Sequence, residues 1–186
     1  MVKKLARDTF KCERNSLSPL EREAYSTEVC GIITGMPEFL NAKLVLTYHP
    51  YGSEMDVKNI ARKALLLGKR IALPCMTGND MSFLCVASMD DLPEMTYDIP
   101  EGFRESCENI TDFSDSICIV PALALDSRGM RMGYGKGCYD RFLKGYSGIS
   151  ICAVFPSLYL SEVPTDDYDV PVDIGVIPTV GIKRFC

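Results

Sequence analysis

The chain has 186 residues, 47% hydrophobic and 24% charged, with a formal net charge of −5. Those proportions describe an ordinary globular protein, predicted as a single domain over residues 1–186 that buries roughly 70% of its unfolded surface. The acidic balance argues against a nucleic-acid backbone as the main partner, and the chain nowhere carries 18 uninterrupted apolar residues, which argues against a membrane span.

The first segment, "MVKKLARDTFKCERN", places Lys3, Arg7, Lys11 and Arg14 at spacings of four, four and three. On a helix these make one basic stripe, which is either a solvated face or a cationic arm laid over a phosphate. "SPLE" then predicts a helix start: Ser18 as N-cap, Pro19 in the first turn and Glu21 completing a capping box. That helix is expected to run to Gly35 and to bury Leu20, Ala24 and Ile32.

"KLVLTYHP" reads as a strand stopped by Pro50, and "EMDVKNIARKALLLG" as a helix closed by Gly68. With the strand "KRIALPCM" they form a βαβ unit and so a parallel pair. "MSFLCVA" adds a strand beside them. Residues 90–116 are acidic, contain proline and lack periodicity, and read as an irregular excursion of the kind often used as a lid or binding segment. "SICIVPALALD" is expected as one buried strand, leading through "SRGMRMGYGKG" into the short helix "CYDRFLKGY" and the strand "ISICAVF". "VDIGVIPT" is the last predicted strand. The pattern is α/β.

Nine cysteines, an odd number without Cys-x-x-Cys spacing, sit largely within apolar runs. They predict core hydrophobes in a reduced, cytoplasmic compartment, and the N-terminus lacks the apolar stretch of a signal peptide.

The segment "RMGYGKGCYDRF" raises the chemical question. Gly133, Gly135 and Gly137 allow close backbone approach and positive φ values, so that successive N–H groups can converge on an anion. The spacing matches neither the dinucleotide fingerprint nor a Walker loop, and a tight turn explains it equally well. Arg131 and Lys136 add cations that a turn does not need. Asp140 is either a partner of the helix dipole or a carboxylate reaching a magnesium ion on phosphates.

"VPALALDSRGMRMGYGKGCYDRFL", residues 120–143, resembles the signature of the 5-formyltetrahydrofolate cyclo-ligase family, also called methenyltetrahydrofolate synthetase. That family's pattern reads Val-Pro-Gly-Leu-Ala-Phe-Asp, a short turn, then Arg-Leu-Gly-x-Gly-x-Gly-Tyr-Tyr-Asp. "LSPLER", the segment "YGSEMD" and "GKRIALP" follow the same family order, so the similarity spans nearly the whole chain.

The resemblance implies a three-layer, NagB/RpiA-like α/β domain with a mostly parallel sheet, of the type shared with sugar-phosphate isomerases. It implies a probe-able chemistry: magnesium-dependent, ATP-driven closure of 5-formyltetrahydrofolate to 5,10-methenyltetrahydrofolate by a carbon–nitrogen ligase that acts as a monomer. It places ATP on Lys3, Lys4 and Arg7 and on the loop Arg131, Met132, Gly133, Tyr134, Gly135, Lys136, Gly137, Cys138 and Tyr139. Arg131 and Lys136 are the expected catalytic cations. The folate is expected on His49, Glu54, Tyr134, Gly135, Lys136, Gly137 and Cys138, and magnesium on Asp140 and Asp173. Four positions depart from the family pattern: Tyr134 stands for Arg, Cys138 for an aromatic residue, Ala122 for Gly and Val57 for Thr. A catalytically weakened folate- or nucleotide-binding protein of the same fold is the alternative.

Overall fold

Strand-forming runs alternate with helix-forming ones to build an eight-stranded sheet in the computed structural model, which describes residues 2–78, 80–89, 104–105 and 107–185. Helix α1 (Val2–Ser16) precedes α2 (Pro19–Gly35). The capping box is present: Glu21 N donates to Ser18 Oγ at 3.2 Å, and Ser18 N donates to the Glu21 carboxylate at 2.9 Å. The buried stripe of α2 is Ser26, Val29, Cys30 and Ile33. Leu20 is 75% exposed, Ala24 is exposed and Ile32 only half-buried, contrary to expectation. At 100° per residue, Leu20 and Ala24 fall well to one side of the face that meets helix α4 and strand β10.

After α3 (Pro37–Asn41) come β1 (Leu44–Leu46), α4 (Lys58–Leu66) and β2 (Arg70–Thr77). Strands β1 and β2 pair in parallel with Leu44 opposite Arg70, which completes the expected βαβ unit. Gly68, at φ 72°, ends the α4 segment in the left-handed region that glycine adopts without cost. Strand β3 (Asp80–Val86) runs antiparallel to β2, and β4 (Asn109–Ile110) joins β3. Much of the expected 90–116 excursion, residues 90–103 and 106, lies outside the described residues.

"SICIVPALALD" is two strands rather than one. Strand β5 (Ser116–Val120) belongs to the main sheet, while β6 (Ala124–Asp126) belongs to a three-stranded sheet with β7 (Arg131–Met132) and β9 (Tyr159–Leu160). Pro121, which has no N–H for a ladder, stands at the break. Helix α5 (Cys138–Leu143) leads to β8 (Ile149–Ala153), parallel to β5. Strand β10 (Ile174–Ile177) follows, and β11 (Gly181–Arg184) turns back on it; like β4, β7 and β9, β11 was not among the expected strands.

The main sheet has the order β11-β10-β8-β5-β1-β2-β3-β4, parallel from β10 to β2 and antiparallel at both margins. Helices α2, α3 and α4 pack together along it, and the small sheet and α5 complete the three-layer, mostly parallel α/β arrangement. The central strands are buried along almost their whole length, as Val45, Leu46, Ile117, Ile119 and Ile151 show. From β1 the chain moves to β2 on one side, whereas β5, β8 and β10 extend the other side. The crevice at the carboxyl ends of β1 and β5 is therefore the topological switch point, where open α/β sheets bind ligands.

Candidate functional site

A cavity of about 250 Å³ opens at that switch point. Tyr48 and His49 reach it from the end of β1 and Pro121 from the end of β5. Met76 and Met81 line it from the β2–β3 hairpin, and Lys3 and Arg7 from α1.

The basic stripe of α1 is not a solvated face. Lys3 Nζ lies 2.5 Å from Asp169 Oδ2 and 2.8 Å from Asp166 Oδ2. Burial opposes its charge, yet the bonds to Asp166 and Asp169 outweigh that effect and hold Lys3 above the ordinary lysine pKa. Arg7 Nε donates to Gly133 O at 3.1 Å. Arg14 is only 6% exposed and donates from NH1 to the Tyr134 hydroxyl at 2.8 Å and from Nε to Ser53 Oγ at 3.0 Å. Lys11 lies 5.8 Å from the Tyr134 ring centroid. Lys4, off this stripe, is exposed and outside the cavity lining.

The glycine loop runs from β7 to α5 and lines the cavity from Arg131 to Asp140. Gly135 (φ 96°) and Gly137 (φ 66°) occupy the backbone region that suits glycine, whereas Gly133 does not; what Gly133 offers is its carbonyl, to Arg7. A Cβ on Gly135 would stand 2.9 Å from Arg7 Cζ, so the missing side chain is what lets the guanidinium lie on the loop. Met132 is buried, Tyr134, Cys138 and Tyr139 are half-buried, and Lys136 is exposed at the rim.

Arg131, expected as a cation on the transferring phosphate, is engaged inside the protein. Its NH1 donates to Val170 O at 2.6 Å and its NH2 to Asp140 Oδ1 at 3.0 Å, with the side chain 3% exposed. It acts as a clamp on Asp140 rather than as a free phosphate contact. Val170 N donates to the same Asp140 oxygen at 3.2 Å, which brings the 166–170 segment beside the loop.

Asp173, the other expected metal ligand, is not brought to Asp140. Its carboxylate accepts from Ser150 N at 2.8 Å and Ser150 Oγ at 2.6 Å, at the amino ends of β8 and β10. That is the opposite margin of a parallel sheet from the cavity, whose lining does not include it. The aspartates that do share the cavity with Asp140 are Asp166 and Asp169, neither of which was expected there. Their signal was the acidic, proline-flanked run "PTDDYDVP".

On the far wall, Glu54 Oε2 accepts from Tyr51 N at 2.9 Å, and Oε1 accepts from the Tyr134 hydroxyl. Burial first, and the Glu54 charge second, push the Tyr134 phenol above its ordinary pKa, so it remains a donor at neutral pH. His49 is half-buried, and burial followed by the Lys58 charge holds its imidazole below the usual value. Its Nδ1 is buried without a hydrogen-bond partner among the described residues.

The eight described cysteines form no disulfide, and no group of three His, Cys, Asp or Glu side chains among the described residues gathers as a metal cage. Burial lifts the thiols of Cys30 to about 11 and Cys152 to about 12, which suits inert core positions. Among the described residues no helix is long and apolar enough to cross a membrane.

Taken together, the site offers a positive-φ loop flanked by cations, a clamped aspartate and a separately held glutamate across one cleft. The sequence profile of the 5-formyltetrahydrofolate cyclo-ligase family matches residues 1–178. A 5-formyltetrahydrofolate cyclo-ligase of Mycolicibacterium smegmatis is 28% identical, with 91% of this chain and 90% of the relative covered. One from Escherichia coli is 22% identical, covering 89% and 94%. The solution structure of 5,10-methenyltetrahydrofolate synthetase from Aquifex aeolicus superposes with a TM-score of 0.80 at 30% identity, covering 99% of this chain and 93% of that one. This chain belongs to the 5-formyltetrahydrofolate cyclo-ligase family.

Proposed function

We propose that the chain closes 5-formyltetrahydrofolate to 5,10-methenyltetrahydrofolate at the expense of ATP. The observation that carries this reading is the convergence on one cavity of the Gly133–Gly137 loop, the α1 cations and Asp140, with Glu54 on the facing wall. The formyl oxygen attacks the γ-phosphorus and ADP departs, leaving a phosphorylated imidate. The second folate nitrogen then attacks the activated carbon, and the C–O bond breaks to release phosphate. An amide oxygen leaves poorly until phosphorylated, so the protein's work is alignment and charge neutralisation.

Within that reading the Gly135–Gly137 backbone lies against the phosphates, with Lys136 at the rim and Lys3 and Arg7 above them. Glu54 accepts paired N–H groups of the pterin, a geometry that suits a carboxylate, and His49, which lines the same cavity, would meet the same ring. A magnesium ion fits this donor set, because such ions on nucleotides are held by one or two carboxylates together with phosphates and water, not by a protein cage. Asp140 would hold it, with Asp169 as the nearer second carboxylate in place of Asp173. When bound, the ion neutralises charge on the transferring phosphate. Arg131 keeps Asp140 in one orientation throughout. We further propose that the protein works in the cytoplasm as a monomer, its thiols reduced.

The test is incubation with ATP, magnesium and 5-formyltetrahydrofolate, following the near-ultraviolet absorbance of the methenyl product. Product that requires all three supports the reading. ATP turnover indifferent to the folate points to another phosphoryl-transfer enzyme, and folate binding by calorimetry without phosphate release points to a binding protein.

A further inference from the structure

Among the described residues the buried guanidinium of Arg14 has no carboxylate of its own within hydrogen-bond reach, although burying such a charge is costly unless it is paired. What it has instead is a route to one. Arginine can only donate, so the Tyr134 oxygen accepts at the 2.8 Å contact and its single hydrogen is left to point elsewhere. It points to Glu54 Oε1. The chain of charge-assisted bonds therefore reads guanidinium to phenol to carboxylate, with the phenol proton given one direction by the cation behind it.

The ends of this relay are fixed independently. Arg14 Nε is held by Ser53 Oγ, which in turn donates to Asn15 Oδ1 at 2.5 Å. Glu54 Oε2 is held by Tyr51 N. The Arg14 Cζ also lies 5.7 Å from the Tyr134 ring centroid, so the ring is braced on its face as well as at its hydroxyl. Each Glu54 oxygen thus has one fixed internal donor, and each keeps a second acceptor direction.

We infer that Arg14 is a positioning residue for substrate recognition: acting through the Tyr134 hydroxyl, it presents the Glu54 carboxylate in a single orientation to a ligand bearing two parallel N–H donors. This rests on the proposed folate reading, in which the pterin supplies those donors. Arg14 does not itself line the cavity and bonds to no loop carbonyl among the described residues; it meets the cavity through the Tyr134 hydroxyl, which is turned towards Glu54, so its influence is directed to the folate side.

The experiment compares wild type with Arg14→Met, Tyr134→Phe and the double variant, measuring binding of 5-formyltetrahydrofolate and, separately, of ADP by calorimetry. Loss of one charge-assisted bond predicts folate binding roughly tenfold weaker in Arg14→Met, with ADP binding unchanged. Because the two residues act in series, the double variant should be no weaker than Tyr134→Phe alone, a non-additivity that general loosening does not produce. Arg14→Lys, which keeps a donor for the phenol, should recover part of the loss. Equal weakening of folate and ADP, additive losses, or unchanged folate binding in Arg14→Met each overturns the inference. If Arg14→Met does not fold, Tyr134→Phe and Arg14→Lys decide it by the same measurements. Wild type that binds no folate overturns the functional reading itself, and this inference with it.

Discussion

Two neighbouring turns, residues 126–129 and 133–137, each combine a glycine at positive φ with an arginine contact, and they are wired in opposite ways. The first is held chiefly by backbone groups and by its own arginine. The fully buried Asp126 carboxylate accepts from the backbone N–H groups of Arg128, Met130 and Val163 at 2.8, 3.1 and 3.0 Å, and from Arg128 NH2 at 2.7 Å. The second turn is held from outside, by Arg7 on Gly133 O and by Arg14 and Glu54 on Tyr134. A turn satisfied by backbone groups and its own arginine is a structural element. One whose partners are long side chains from other elements can exchange them for a ligand.

The sharpest way to break this comparison is to make the same change in both turns. A Cβ on Gly129 (φ 79°) would lie 2.7 Å from Phe185 Cγ and 2.8 Å from the Val172 carbonyl, a backbone atom that cannot step aside. Gly129→Ala should cost about 3 kcal/mol in urea unfolding, from the unfavourable φ and the clash combined. At Gly135 (φ 96°) the three nearest atoms all belong to the far end of Arg7. Gly135→Ala should cost about 1 kcal/mol of stability for the φ alone, while kcat/KM for ATP falls roughly a hundredfold as loop and guanidinium separate. Similar stability losses in both, with activity retained in Gly135→Ala, would remove the distinction.

What the sequence makes legible differs between the fold and the site. Periodicity and capping chemistry made α2, α4 and the two parallel units legible, because local spacing and local hydrogen bonds decide them. The break at Pro121 was also present in the letters but hidden by the apolar run around it, since burial is common to both sheets. For the site, residue types on the loop and α1 were readable, and the resemblance gave them a ligand. Their wiring was not. That Arg131 clamps Asp140, that Arg14 reaches Glu54 through Tyr134, and that Asp169 rather than Asp173 stands beside the loop all depend on contacts between segments far apart in the chain. The same holds for Asp173, whose bonds to Ser150 at the amino ends of β8 and β10 its local motif does not reveal.

A smaller effect concerns the backbone-held turn. Burial opposes ionisation of Asp126, but Arg128 and the N–H groups of Val163, Arg128 and Met130 outweigh it, so the carboxyl is held below the ordinary 3.8. A folded-state pKa below the unfolded one gives stability that is complete above the unfolded value and is lost as pH falls through the folded one. Asp126→Asn should therefore cost about 2 kcal/mol near neutrality, with the gap to wild type closing below pH 3.8, and leave kcat for ATP-dependent closure unchanged. Urea midpoints measured from pH 7 down to the acid transition check both parts.

The smallest predicted effect concerns the outer bracing of the open loop. Lys3 now neutralises Asp169, whose side chain is 20% exposed, and Asp166, at 67%. A triphosphate entering the cleft would compete for that ammonium, so the two aspartates and the nucleotide share one cation. Lys3→Met removes it and leaves carboxylates facing the incoming phosphates. KM for ATP should rise about fivefold in low salt, and the difference should narrow as salt screens the partly exposed charges. Stability should change by less than about 1 kcal/mol, the usual scale for such pairs. Asp166→Asn, which loosens Lys3 at its more exposed partner, should lower KM for ATP or leave it within about twofold. A Lys3→Met protein with wild-type KM at low salt would mean that the α1 stripe braces the loop without meeting the nucleotide, and that the open turn takes its ligand from Arg7 and the glycine backbone alone.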